Sequence, residues 1–488
     1  MSAAAMFPQS AIGMPKEVQY VLPPSLDANS RSFTVHQQPN GITSVTGASV
    51  SSTVFVANSA GLVSQAFSPQ QISFDIPSGQ APSVFLDTAS TTLSFRLTWT
   101  VSTASSATNP VVSLIGGASS FFDQLTVYSN NTPVETINGY GPLANMAINS
   151  LVNYAERFGA ITGMGCDVDS TTGADLAHAN TGTFYYTFTI PLMSIIGQST
   201  EKWLPIGLIN NLQLFLQTAA QLPVSTYCTA VATQPVFAAP VLDQFILNLK
   251  YVDLGPMAGA SLLNSLKDGK LYLKSQTYTN SNVAIPSGSS GATQSLLQVR
   301  NSSVKSLVFY NAIDKSAACP NGYFDAVNPA STKCQVIIGG SRYPNREMNP
   351  SNRPTEAMLY YMDAWGQRGD FKHYGGVVQR NYYGATIPSL PSGCDQSLVV
   401  PASGLRTYAN QSITTEVITK YPNEHFLGVD LEKSGGVLFS GVNTRASPPY
   451  VEQNLAVAST SAITLQAWAI SDLVLEIDAM AKQMISYI

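Results

Sequence analysis

Apolar and polar residues alternate with a period of two along much of this chain. Leu93, Phe95, Leu97, Trp99 and Val101 are separated by Ser94, Arg96, Thr98 and Thr100. That is the pattern of a strand with one packed face and one face that is polar but barely charged. Phe184, Tyr186, Phe188 and Ile190 alternate with Thr183, Thr187 and Thr189, and Leu212, Leu214 and Leu216 continue the theme. Phe245, Leu247, Leu249 and Tyr251 form another such run. Leu465, Leu473, Leu475 and Ile477 share one parity, with Thr464, Gln466, Asp472 and Glu476 on the other. Between the runs lie turn formers, among them 35 Gly and 29 Pro. The pattern predicts an all-β protein. Only two segments carry a helical stripe. Leu143, Ala147, Leu151, Tyr154 and Phe158 follow Pro142 and stop at Gly159, while Met358, Tyr361, Met362 and Trp365 follow Pro354 and stop at Gly366.

Those helices act as a ruler. Pro142 and Pro354 lie 212 residues apart, and 17 residues before each lies a strand running into a turn, Leu125-Thr-Val-Tyr-Ser and Ile337-Ile-Gly-Gly-Ser, the latter preceded by Gln335-Val336. The strand around Phe95 matches Ser306-Leu-Val-Phe-Tyr at about the same offset. The late strands near Leu249 and Leu473 have drifted to 224, as loop insertions would cause. Two similar β domains in tandem are expected, divided near Gly255 to Ser275. Pattern alone admits jelly rolls and other Greek-key sandwiches equally.

Composition sharpens this picture. The chain has 488 residues and a net charge of −5, and only 11% of its residues are charged, against about 25% in ordinary soluble domains. With 44% hydrophobic residues, disorder is excluded. The 24 Lys+Arg are outweighed by 29 Asp+Glu and form no basic cluster, which argues against a dedicated nucleic-acid binder. No apolar stretch reaches the roughly 18 residues of a membrane span. Met1 to Lys16 lacks a basic region and carries Pro8, so it reads as a flexible arm rather than a secretory signal.

Candidate chemistry is sparse. GxSxG, HExxH, GxxxxGK[ST] and GxGxxG are all absent. His36, His178, His373 and His425 are scattered, and Cys166, Cys228, Cys319, Cys334 and Cys394 contain no CxxC pair or zinc spacing. Cys319 and Cys334 could bridge a loop in an oxidising setting; free thiols are the simpler reading. Asp167 and Asp169 lack the remaining ligands of a cation loop. The sequons at Asn130, Asn301 and Asn410 are expected by chance in so Ser/Thr-rich a chain, and so is the attachment-type tripeptide Arg368-Gly369-Asp370. No catalytic, cofactor-binding or metal-binding residue is assigned.

Four segments carry a family resemblance. Phe184-Tyr-Tyr-Thr-Phe-Thr-Ile-Pro-Leu leads to Leu208-Ile-Asn-Asn-Leu-Gln-Leu in the first half. Phe426-Leu-Gly-Val-Asp-Leu-Glu-Lys-Ser leads to Gly435-Gly-Val-Leu-Phe-Ser-Gly-Val-Asn in the second. With the duplication and the inserted helices, the chain resembles the double jelly-roll major capsid proteins of the tectivirus–adenovirus lineage, above all those of virophages and Polinton-like viruses. The resemblance implies two tandem eight-stranded jelly rolls with short helices in loops. Residues 1–30 would form an arm, 31–255 and 256–478 the rolls, and 479–488 a tail. It implies a structural protein of a DNA virus, not an enzyme. Such a protein forms homotrimeric, pseudo-hexameric capsomers of an icosahedral capsid and enters the virion after synthesis in the host cell without a signal peptide. Its implied partners are itself, neighbouring capsomers, penton and minor capsid proteins, and an internal membrane. The arm has only Lys16 and Arg31 as nearby cations, so direct sequence-specific nucleic-acid binding is not expected. The low charge would follow from a surface that faces other copies, with charges gathered on outer loops and inner rim. The competing reading is a carbohydrate-binding or carbohydrate-active β-sandwich, which calls for exposed Trp platforms and paired carboxylates. The chain has only 4 Trp.

Overall fold

The computed structural model describes residues 30–46, 61–66, 70–103, 111–114, 117–151, 182–197, 202–219, 221–227, 236–237, 241–313, 326–327, 331–366, 405–408, 411–414, 425–433, 439–455 and 462–488. The alternating runs are strands. The first set of eight is β1 (Arg31–Gln37), β2 (Gln71–Ile76), β3 (Thr92–Thr103), β4 (Phe122–Ser129), β5 (Thr132–Asn138), β6 (Gly182–Pro191), β7 (Leu212–Thr218) and β8 (Val241–Asp253). They pair as two antiparallel sheets, β1-β8-β3-β6 and β2-β7-β4-β5. The second set is β9 (Lys270–Ile285), β10 (Gly291–Leu296), β11 (Val304–Ile313), β12 (Ser331–Ile338), β13 (Ser341–Met348), β14 (Leu427–Asp430), β15 (Tyr450–Leu455) and β16 (Ile463–Asp478). Their sheets run β9-β16-β11-β14 and β10-β15-β12-β13. Adding eight to each label of the first set reproduces the order of the second. The duplication is one of topology, and the fold is two jelly rolls in tandem.

Short strands decorate the frame: Ser44–Thr46 and Val84–Leu86 on β8, Val236–Phe237 on β3, and a separate sheet of Gly61–Ala66, Gln221–Tyr227 and Val111–Leu114. Helix α1 (Tyr140–Leu151) follows β5, and its equivalent, here numbered α3 (Pro354–Ala364), follows β13. Gly366 has φ +69° just past α3, a left-handed stop that glycine adopts without strain. Residues 152–160, where the sequence pattern carries the first helix onward, lie outside the described residues. A third helix, α2 (Pro256–Ser265), occupies the link between the rolls, where the sequence pattern predicts no helix. Residues 434–438 of the Gly435–Asn443 segment lie outside the described residues, and its described part bridges Val442 to Val304.

Aromatic and aliphatic residues of the inward parity fill each sandwich. Phe95 sits within 5.4–6.0 Å of the rings of Phe121, Phe122, Phe188 and Phe245. Leu307, Phe309, Leu465, Ala467 and Val451 fill the second roll. The two rolls do not share equivalent surfaces. In β8 buried and half-buried residues alternate, whereas β16 is buried at every position from Leu465 to Ile477. Trp468, Ile470, Val308 and Tyr310 on the outer face of the second roll join the continuous core that contains the first roll's residues. The Trp468 ring stacks on Tyr310 at 5.9 Å and donates through Nε1 to the carbonyl of Asn138 at the end of β5. The two helices meet as well: the Tyr361 hydroxyl of α3 bonds to the Ser150 hydroxyl of α1 and donates to the Met146 carbonyl.

A tail strand, β17 (Gln483–Tyr487), completes the joint. It pairs with β16, while Met484 N donates to Ser129 Oγ at 3.0 Å and Ser486 Oγ donates to the Val134 carbonyl at 2.6 Å. Asn210 N and Asn130 Nδ2 both donate to the Lys482 carbonyl. The expected tail is therefore bound to its own chain's two rolls. Glu135 of β5 lies buried in the same joint. Burial pushes its carboxyl up to about 7, against the opposing hydrogen bonds from Ser194 Oγ, Ile195 N and the Thr277 hydroxyl of the second roll.

Two outcomes follow from this packing. A Cβ at Gly428 of β14 would stand 2.9 Å from the Ala364 Cβ and 3.2 Å from the Tyr361 Cα of α3. Gly428→Ala should push α3 off the sheet and cost about 1–3 kcal/mol, read from a denaturant midpoint. Glu135 binds a proton more tightly when folded than its ordinary value of 4.5 allows. The stability it permits is therefore complete below pH ~4.5 and is lost as pH rises through about 7, a difference on the order of 3 kcal/mol. Glu135→Gln should flatten the thermal midpoint between pH 5 and 8, with its largest gain over the parent at pH 8; parallel profiles for the two proteins refute this.

Candidate assembly surfaces

Each roll presents a sheet face and a strand-and-helix edge, and the joint uses one of each. The first roll contributes its β4–β5 edge with α1, and the second contributes the outer face of β9-β16-β11. Their counterparts, the outer face of β1-β8-β3-β6 and the β12–β13 edge, are left facing outward, while α3 turns Tyr361 toward α1 and its Glu356–Leu359 side away from it.

The outer face of the first roll is a polar ladder built by the outward parity of four strands. Ser94 bonds Thr189 at 2.9 Å, Thr100 bonds Thr183 at 3.0 Å, and Asn248 Nδ2 donates to Ser94 Oγ at 2.9 Å. His36 Nδ1 donates to Asn248 Oδ1 at 2.7 Å. Arg96 grips Asp243 through two 2.8 Å bonds, and Asp243 is its direct cross-strand neighbour. The hydrogen bond to Asp243 raises the Arg96 pKa further. The same guanidinium lies 5.1 Å over the ring of Tyr185, which is 61% exposed. Beside this pair, at the bulge where Gln244 takes φ +53°, a recess of about 550 Å³ is lined by Gln38, Ser44 and Phe245.

The edge of the second roll is charged rather than apolar. Arg353 holds Glu356 at 3.0 Å, Arg346 approaches Glu356 at 3.8 Å, and Lys333 bonds Glu452 at 2.9 Å. Its hydrogen bond to Lys333 keeps Glu452 below the ordinary carboxylate range. Leu359 of α3 is 36% exposed. On the 212-residue ruler its counterpart is Ala147, which α1 buries.

Among the described residues, several ion pairs lie across strands. Arg96–Asp243, Lys270–Glu476, Lys274–Asp472 and Lys333–Glu452 all bridge neighbouring strands. Opposite charges on adjacent strands attract across the short inter-strand gap, so these ions sit on sheet faces rather than on loops.

Among the described residues, those singled out by chemistry are not brought together. His36 belongs to the polar ladder and His425 is buried beside Ala326. His178, His373, Asp167, Asp169, Arg368-Gly369-Asp370, the arm 1–29 and the cysteines other than Cys334 lie outside the described residues. Cys334 is buried in the second roll, where burial pushes its thiol up to about 12 and leaves it without nucleophilic character. Asn301 is buried and donates to Thr279 and Ser471, so the folded chain has no room for a glycan there. Among the described residues no group of three acidic, His or Cys side chains could hold a metal, and no helix is long and apolar enough to cross a membrane.

No protein-family model matches the chain, and no curated protein matches its sequence. Solved structures do match. The major capsid protein of mavirus superposes with a TM-score of 0.52 over 100% of this chain and 95% of its own, at 10% identity. The Faustovirus major capsid protein gives 0.52 over 96% of this chain and 93% of its own, at 10% identity. A chain of the Sputnik virophage gives 0.53 over 97% and 92%, again at 10% identity. At such identity the likeness is one of fold, and the fold shared with these structures is the double jelly roll of viral major capsid proteins.

Proposed function

We propose that this chain is the major capsid protein of an icosahedral DNA virus, a structural subunit that trimerises into pseudo-hexameric capsomers. One observation carries this reading: two rolls of identical topology are joined through unlike faces. A contact between unlike faces can be repeated, and it closes into a ring when its rotation is right. If the contact turns by one sixth of a full rotation per roll, three copies of a two-roll chain complete a ring of six. The outward sheet face of one copy and the outward edge of the next are the unused halves of the contact already made within the chain.

The low charge supports the same reading, because interface cores are depleted in Lys, Glu and Asp. Shell contacts beyond the trimer fall to the arm, residues 1–30, and to the loops, toward neighbouring capsomers, penton and minor proteins or an underlying membrane. The sandwich alternative requires an aromatic platform with paired carboxylates; among the described residues Trp468 is buried in the joint and Trp203 alone of the Trp side chains is exposed. Native mass spectrometry of the purified chain should give three times 51.9 kDa, and negative-stain images should show hexagonal outlines. A monomer that persists at tens of micromolar overturns the proposal.

A further inference from the structure

Helix α2, in the link between the rolls, has little to hold it. Its 10 residues fall short of the roughly 12–15 at which an isolated helix becomes stable, so it depends on packing. No side chain caps it at Gly255, its first turn has no acidic residue and its last turn no basic one. Within it only Gly259 is buried, against the Pro82–Ser83 backbone, while Leu262 packs partly on the core together with Leu266 just beyond. Pro256, Met257, Ala260 and Leu263 recur every three to four residues on another side. All four are exposed, Met257 at 77%. Met480, also exposed, lies beside Gly269 just past the helix. This uncharged stripe is the unpartnered side of a helix that needs a partner.

We propose that residues 18–26 of the same chain, Val-Gln-Tyr-Val-Leu-Pro-Pro-Ser-Leu, cover this side of α2. Position selects that occupant. β1 starts with Arg31 opposite Asp253, and α2 starts at Pro256, so the arm leaves the first roll beside the helix. The stretch from Ser30 back to Leu22 reaches about 28 Å at full extension, and α2 is about 15 Å long, so the segment can lie anywhere along it. Composition agrees with position. Residues 18–26 carry no charge, as α2 carries none, whereas Lys16, Glu17 and Asp27 stand on either side of the segment. Val18, Tyr20, Val21, Leu22 and Leu26 supply the apolar surface. Pro23 and Pro24 suit an extended course across the helix, because neither has an N–H to give to a helix or a sheet. So short a tether holds the segment at an effective concentration on the order of millimolar, which any separate protein would have to exceed. Residues 1–17 are left for contacts beyond the subunit. The assignment does not depend on the ring, since it concerns one chain alone.

Full-length chains test it in two ways. Leu22→Cys combined with Leu263→Cys, oxidised in a mixture of isotope-labelled and unlabelled protein, should give a disulfide between positions 22 and 263. Its two peptides should always carry the same label. Amide exchange of residues 257–264, followed by mass spectrometry, should rise about tenfold in Tyr20→Asp/Leu22→Asp, because a helix that loses its cover opens more often. The thermal midpoint of that variant should stay near the parent's, since both positions precede β1. Linked peptides of mixed label put the arm on a neighbouring copy and overturn the assignment. Exchange left unchanged by the arm variant, with no link between the two positions, overturns it as well.

Discussion

Strand β16 is the constraint on which the molecule depends. A strand at the centre of a sheet can leave one face to water, and β8 does so, with Asn248 and Lys250 outward. In β16 the matching face carries Trp468 and Ile470, and neither can be left in water without a cost of about 1.5–3 kcal/mol per side chain. The second roll therefore cannot stand as a free sandwich. It needs the first roll's β4–β5 edge, the stacked Tyr310 and the tail strand β17 over its lower end. From that one burial follow the shared core, the meeting of α1 with α3 and the burial of Glu135.

The same burial makes the subunit asymmetric. Two rolls with the same strand order would be interchangeable if each were covered in the same way. Because one sheet face is apolar and the other polar, the first is sealed inside the chain and the second is left to water. The difference lies in a handful of outward positions, filled by Trp, Ile and Tyr in one roll and by Ser, Thr, Asn and Arg in the other.

Much of the frame could be read from the sequence because alternation is a direct record of a strand with one wet face. β3, β6, β7 and β8 announce themselves so, and the prolines at 142 and 354 mark the two equivalent helices. The joint could not be read. The second parity of β16 contains Gln466, Asp472 and Glu476, which look like a solvent face, yet all are buried. Asp472 accepts from Ser303 and from the Ser440 backbone, and Glu476 accepts from Lys270 and Tyr487. Those partners are distant in sequence, so nothing local signals them. Helix α2 escaped for another reason. Gly259 is unfavourable in a helix interior, but a Cβ there would meet the Ser83 backbone at 3.0 Å, so the close approach requires it.

The register of the outer strands has a consequence for how the chain reaches this structure. β1 pairs with β8, Arg31 opposite Asp253, and β9 pairs with β16, Lys270 opposite Asp478. The first strand of each roll thus waits for its eighth. Contacts of such long sequence separation fold slowly, because the loop between them must be ordered before they form. During synthesis the first roll can close once Asp253 has emerged, but its β4–β5 edge stays open until β16 exists some two hundred residues later. A chain so poor in charge has little electrostatic repulsion to protect that edge. The interval between the closure of the first roll and the arrival of β16 is the period in which this protein is most exposed to aggregation.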